Sequence, residues 1–206
     1  MPIVERILHR APCVRLLPTS TVGPMRSHVL FISGRSGVGK STTALALHDQ
    51  LISLNIQHAV IDGDYLDLAH PAPHEAFPEA NLAEQNLSFM WSAYRSLGYH
   101  RLIYTNTVAA LMSADLAAAM GDNPIVTAVL LRSSDRHAHS RLERRNHGTI
   151  DAGLLDHSAA MGKRLDREAP TFVHRIDTDD LDPSEVAAHL LTLTGWDTQS
   201  PATEAH

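Results

Sequence analysis

From residue 28 onward, short runs that are apolar throughout alternate with stretches in which apolar residues return every three or four positions. Val29-Leu30-Phe31-Ile32 has no polar face, which predicts a buried strand. Ala44, Leu47, Leu51 and Leu54 then recur at helical spacing and predict a helix with one apolar face. Ala59-Val60-Ile61 is a second strand, followed by a Pro-rich loop around His70-Pro71-Ala72-Pro73 and Phe77-Pro78. Asn81 with Glu84 reads as an N-cap pair and Gly98 as a stop, so 82–97 is expected to be helical. A third strand at 102–105 leads into an Ala/Leu-rich helix over 107–120, broken by Asp122-Asn123-Pro124. A fourth strand at 125–131 precedes an Arg- and His-rich stretch, 132–147, and a helix over 151–167. A fifth strand within 172–176 and a helix over 183–193 complete the pattern. Strands without a polar face, alternating with helices, indicate a parallel sheet covered on both sides.

The chain's 206 residues are 44% hydrophobic, enough for one core, which we place at 27–195. Residues 1–26 are Arg-rich, acid-poor and interrupted by prolines, and lack the apolar run of a secretory signal. A disordered extension is expected there, and a flexible tail at 196–206. The net charge of −6 and the lack of a basic run argue against nucleic acid as a partner. No apolar run approaches the roughly 20 residues of a membrane span. Cys13 is alone, so neither an intrachain disulfide nor a cysteine zinc cage can form, which fits a cytoplasmic setting. His137 and His139 stand at i and i+2, which do not share a helix face, so the histidines do not suggest a metal site. A homodimer is left open.

Of 17 basic residues only Lys40 and Lys163 are lysines. Lys40 lies in Gly34-Arg35-Ser36-Gly37-Val38-Gly39-Lys40-Ser41, which matches the Walker A pattern at every required position and sits between a strand and a helix. The chemistry needs these residue types. Glycines let the N–H groups of Gly34, Ser36, Gly37, Val38 and Gly39 curl around phosphate oxygens, and the helix starting at Lys40, Ser41 and Thr42 aims its positive end at them. Lys40 is expected to reach the β- and γ-phosphates, and Ser41 to ligate Mg²⁺.

The second strand ends in Ile61-Asp62-Gly63-Asp64, placing two carboxylates at the sheet edge where such folds bind ligands. Asp62 is assigned to the Mg²⁺ shell and Asp64 to accepting a proton from an acceptor hydroxyl. The third strand runs into Asn106 and Thr107 with no acid to polarise water, which favours transfer over hydrolysis.

On these residues the chain resembles the P-loop small-molecule kinases. The segments Ser33 to Ala46 (SGRSGVGKSTTALA) and Ile61 to Asp64 are similar to adenylylsulfate kinase. The stretch Arg141-Leu142-Glu143-Arg144-Arg145-Asn146-His147, with Leu154-Leu155 and Arg167-Glu168-Ala169-Pro170, is similar to the lid of gluconate kinases. Chloramphenicol phosphotransferase-like NTPases belong to the same group. The resemblance spans about residues 28–194. It implies an α/β P-loop NTPase fold: a five-stranded parallel sheet in the order 2-3-1-4-5, helices on both faces, and a helical lid. It also implies ATP and Mg²⁺ as cofactors, an adenine-contacting loop near 178–183, and lid arginines, Arg141 and Arg144 foremost, reaching the phosphates during transfer. Where adenylylsulfate kinases follow Asp-Gly-Asp with Asn and an Arg that engage the substrate, this chain has Tyr65, Leu66 and Asp67, which counts against that substrate.

Between Asp62 and Tyr94 there are acids but no Lys or Arg, so an acceptor bearing phosphate or sulfate is disfavoured. Tyr65, Phe77, Phe89, Trp91, Tyr94, Tyr99 and Tyr104 crowd the stretch 65–104, and Phe89, Met90 and Tyr94 are also expected to be partly core. The expected acceptor is a neutral or cationic hydroxyl compound with a ring to stack: a nucleoside, a sugar derivative or an antibiotic. Two alternatives stand beside it. One is adenylylsulfate, and the other is a regulatory NTPase that docks a protein through the acidic loop 64–80.

Overall fold

A computed structural model of the chain describes residues 26–145 and 151–198. Five strands, β1 (His28–Ser33), β2 (Ala59–Asp62), β3 (Arg101–Thr105), β4 (Ile125–Arg132) and β5 (His174–Asp177), form one parallel sheet in the order β2-β3-β1-β4-β5. Among the described residues six α-helices connect them and a seventh follows β5: α1 (Lys40–Ser53), the short α2 (Pro73–Ala76), α3 (Leu82–Ser96), α4 (Ser113–Met120), α5 (Asp135–Arg145), α6 (Ala152–Glu168) and, last, α7 (Pro183–Thr194).

Side chains alternate across a strand, and on β1 both sets are buried. Leu30 and Ile32 enter one layer with Leu47 and Leu51 of α1 and Val186 and Leu190 of α7. Val29 and Phe31 enter the other with Leu87 and Trp91 of α3, Leu116 of α4 and Leu165 of α6. Phe31 of β1 meets Tyr104 of β3 edge to face with ring centroids 5.6 Å apart, packing β3 beside the strand that leads into the glycine-rich loop. The carboxyl ends of β1, β2 and β3 thereby converge on one edge.

Several boundaries differ from the sequence pattern, each for a local reason. Asn81 is not a side-chain cap: it takes a left-handed conformation (φ 45) as the chain leaves a 3-10 turn at Pro78–Ala80. The helix expected over 107–120 is α4, which starts at Ser113, because the Asn106 side chain accepts from Val108 N and holds a turn ahead of it. Leu54 follows the last turn of α1 and is half exposed. The fifth strand starts at His174, with Phe172 exposed.

The domain also extends further at both ends. Arg26 donates to Asn123 O, and buried Ser27 joins Asp122 and Arg95. Gly195 turns the chain back after α7, so Trp196 enters the core at 1% exposure instead of opening a tail. The remaining expected extension and tail, residues 1–25 and 199–206, and the lid positions Asn146 and His147 lie outside the described residues.

Three histidines near the amino-terminal edge of the sheet, His28, His58 and His100, are held below the ordinary imidazole value. Burial is the main cause in each; Arg101 adds to all three, and at His58 the Ile56 carbonyl partly offsets it. Their folded-state pKa values lie below the unfolded one, so the stability they contribute is present above about pH 6.5 and is lost as pH falls through the folded values. The urea midpoint is accordingly expected to be lower at about pH 5 than at about pH 7.5, a window in which ordinary carboxylates titrate little. Equal midpoints would contradict it.

Candidate active site

The loop between β1 and α1 is shaped for a guest. Gly39 stands at the start of α1 with φ 108, a conformation that L side chains rarely adopt, and the first N–H groups of the helix are left without intrahelical partners. Gly37 lies against α5 so closely that a Cβ would come within 2.6 Å of Ala138 O. Val38 is buried beneath the loop, whereas Ser41 and Thr42 are exposed at the helix start. Lys40 is only 8% exposed, and its Nζ donates to Gly34 O at 3.1 Å and Thr107 Oγ1 at 3.2 Å, while facing Asp64 Oδ2 at 3.3 Å. The ammonium thus spans the loop that carries it.

The two carboxylates reach this ammonium and its neighbour without a continuing strand. β2 stops at Asp62, and Gly63–Tyr65 is a 3-10 turn that Asp62 caps by accepting from Asp64 N. Asp62 Oδ2 also accepts from Ser41 Oγ at 3.1 Å, which puts the two expected Mg²⁺ ligands side by side. Hard oxygen donors on a loop and a strand end suit that ion, which needs only one or two protein ligands beside phosphate. Among the described residues no cluster of three or more His, Cys, Asp or Glu could hold a metal alone.

Sequence reasoning passed over Thr107, which is the hub of the site. Its N–H donates to Asp64 Oδ1 at 2.9 Å, its hydroxyl accepts from Lys40, and its carbonyl accepts from Ser33 Oγ at 2.7 Å. The missing third-strand acid was the available signal: a neutral residue there can serve Lys40 and Asp64 together.

Beside the loop, Gly39, Thr42, Thr43, Arg141, Arg144, Thr178 and Pro183 enclose a recess of about 200 Å³. Arg141 closes it, donating to Val38 O at 3.0 Å, Thr178 Oγ1 at 3.0 Å and Thr178 O at 2.8 Å. Arg144 is exposed on its rim, Arg136 is exposed outside it, and the Arg145 side chain lies outside the described residues. Asp179 holds this wall to the start of α5. Although its burial acts to raise the pKa, hydrogen bonds from Ser133, Ser134 and His137 outweigh it and keep the carboxyl well below the usual range.

Asp64 also lines a cavity of about 590 Å³, walled by Leu68, Ala72, Pro73, Phe77, Tyr104 and Met112, with Asp67, Glu84 and Asn106 as further polar members. The expected aromatic wall is only partly there. Phe77 and Tyr104 line the cavity, Trp91 is in the core, and Phe89 is 73% exposed on the outside of α3. Met90 is exposed too, so of the three residues expected as partial core only Tyr94 packs against it. Tyr104 has its phenol pushed well up by burial and by the nearby carboxylates, Asp64 first, and stays neutral. The segment 62–94 has no cation, but the cavity does: Arg164 of α6 lines it, a residue some seventy positions beyond the segment.

Comparison with known proteins agrees with this geometry. A family model described as adenylylsulphate kinase matches residues 26–70, the loop, its flanking strands and the Asp62-Gly63-Asp64 turn. Among solved structures, a tunicamycin resistance protein from Deinococcus radiodurans superposes with a TM-score of 0.60 at 21% identity, covering 82% of this chain and 96% of that one. A gluconokinase from Sinorhizobium meliloti gives 0.55 at 16% identity, covering 83% and 94%. The chain has the fold of the P-loop small-molecule kinases. A third member of that fold, shikimate kinase from Acinetobacter baumannii in complex with shikimate, gives 0.53 at 15% identity, covering 84% and 96%. No curated protein sequence matches the chain. The sheet order expected from the resemblance is the order found, and the P-loop fold places Lys40, Ser41, Asp62 and Asp64 within one cleft. Among the described residues no helix is long and apolar enough to cross a membrane.

Proposed function

We propose that the chain is an ATP-dependent phosphotransferase that moves the γ-phosphoryl group to a hydroxyl of a neutral or cationic small molecule with an apolar body. The observation that carries this reading is the position of Asp64, which faces Lys40 Nζ at 3.3 Å and also lines the 590 Å³ cavity. One carboxylate belongs to both the nucleotide loop and the second pocket, as transfer between two bound molecules requires.

The loop N–H groups and Lys40 bind the phosphates, the ammonium exchanging its bond to Gly34 O for phosphate oxygens. Ser41 Oγ and Asp62 would hold Mg²⁺. When bound, Mg²⁺ neutralises phosphate charge and ATP supplies the phosphoryl group. Asp64, oriented by Thr107 N, accepts the proton from the acceptor hydroxyl. Arg141 and Thr178 wall the recess beside the loop, which we assign to the nucleobase. The apolar walls of the second cavity exclude water that would otherwise compete as acceptor.

A phosphosulfate such as adenylylsulfate fits less well, because Arg164 is the one cation among the described residues lining the cavity, and Glu168 already engages it at 2.8 Å. The tunicamycin resistance neighbour supports an antibiotic-like acceptor, and the gluconokinase a sugar-like one.

A thermal-shift screen with a non-hydrolysable ATP analogue and a panel of nucleosides, sugars, aminocyclitols and aromatic alcohols tests the reading. Stabilisation by the analogue, increased further by one alcohol class, is expected. An analogue that leaves Tm unchanged would refute it. Arg141→Ala, which opens the recess, is expected to lower kcat/KM for ATP by about tenfold or more, Arg144→Ala to act in the same direction, and Arg136→Ala to do little. Equal effects of all three would mean that the recess is not the nucleotide wall.

A further inference from the structure

Arg35 stands inside the phosphate-binding loop, yet its guanidinium is not available to a phosphate in the cleft. It is 5% exposed and turned outward against two helices. Nε donates to Ser158 Oγ of α6 at 3.0 Å, Nη1 pairs with Asp135 at the start of α5, and Nη2 is buried without a hydrogen-bond partner. The Ser158 hydroxyl, itself buried, donates in turn to the Ser36 carbonyl oxygen at 2.9 Å. One turn along α6, Gly162 admits the Arg35 stem: a Cβ there would stand 3.0 Å from Arg35 Cδ. An apolar side chain could fill this space without burying a charge. What the arginine adds is direction: with Arg35 Nε donating to a lone pair of the Ser158 oxygen, the single hydroxyl proton is left to point at the loop.

A trans peptide is planar, with its C=O and N–H pointing opposite ways. Pinning Ser36 O toward α6 therefore turns the Gly37 N–H away from α6. We propose that Arg35 and Ser158 are positioning residues: they hold the Ser36–Gly37 peptide with its N–H presented to phosphate, and they make the placement of α6 depend on what the loop holds. The same helix lends Arg164 to the acceptor cavity two residues beyond Gly162, so filling the loop also sets one wall of the second pocket. This inference rests on the nucleotide-binding reading above.

Ser158→Ala removes the hydroxyl, and Arg35→Lys keeps a charge for Asp135 but removes the directed Nε. Titration calorimetry with the non-hydrolysable ATP analogue and amide hydrogen exchange across residues 152–168 read both consequences. In the wild-type chain the analogue is expected to slow exchange in α6. In both variants affinity is expected to fall by about tenfold and the α6 response to disappear, at a temperature well below each variant's Tm. A purely structural role would lower Tm while leaving affinity and the α6 response intact, and that result overturns the proposal. If Ser158→Ala does not fold, Arg35→Lys decides by the same two readings. A wild-type chain that binds the analogue without slowing α6 overturns this inference alone. A wild-type chain that does not bind it overturns the nucleotide reading and this inference with it.

Discussion

Lys40→Ala is expected to lower phosphoryl transfer by at least about a thousandfold and to weaken binding of a non-hydrolysable ATP analogue. No other ammonium is at hand, since the only other lysine is Lys163 on α6. In the transition state the transferring oxygens need positive charge more than they do in the ground state, so the loss falls mainly on kcat. The fold should survive. Lys40 is buried, and removing it deprives Gly34 O and Thr107 Oγ1 of a donor at about 1 kcal/mol each. The same change removes a buried charge, and Asp64, 36% exposed, keeps water as a partner. The two effects oppose each other, and a small change in Tm is expected. Wild-type turnover and affinity in the variant would remove Lys40 from the mechanism.

The elements that could be read from the sequence are those whose burial is set locally. β1, β3 and the Ala128–Leu131 half of β4 are buried on both faces and therefore mostly apolar in succession, and the Walker A glycines carry their geometry in their spacing. Pattern fails where a distant partner decides. On α3 the residues at i and i+4, Leu87 and Trp91, face the sheet, while Phe89 and Met90 point outward. Both sets are apolar, so composition alone could not orient the helix. Trp196 follows an unmistakable helix stop, and only its packing into the layer that holds α1 and α7 residues makes it core.

The site divides in the same way. Lys40, Ser41, Asp62 and Asp64 announce themselves because the loop and strand end are contiguous in sequence. Thr107, Ser158 and Arg164 do not, because each is an ordinary residue recruited across the fold: Thr107 by β3 lying beside β1, the other two by α6 packing over the sheet's carboxyl edge. Arg141 could be picked out as an arginine on a lid-like helix, but its hydrogen bonds to Val38 O and Thr178 O place it beside the loop's helix start. Charge and spacing direct the lid arginines to the phosphates; the packing of α5 instead leaves Arg141 on Val38 O and Thr178, at the wall of the recess beside the loop.

Asp64→Asn separates the proposed base from the proposed metal ligand. Asparagine has the shape of aspartate and can still accept from Thr107 N, so the turn after β2 and the wall of the cavity should keep their geometry. It cannot take a proton from an acceptor hydroxyl at useful cost. With the general base removed, turnover is expected to drop by roughly 10²–10⁴-fold with little change in affinity for the ATP analogue. Asp62→Asn should behave differently. Its carboxylate meets Ser41 Oγ at 3.1 Å and caps the turn through Asp64 N, so the loss should appear as a raised Mg²⁺ requirement that added Mg²⁺ partly overcomes. Rates measured across a Mg²⁺ titration therefore distinguish the two. If added Mg²⁺ rescues Asp64→Asn while Asp62→Asn stays inactive at every concentration, the two carboxylates have exchanged roles, and the proton leaves through the residue beside Ser41.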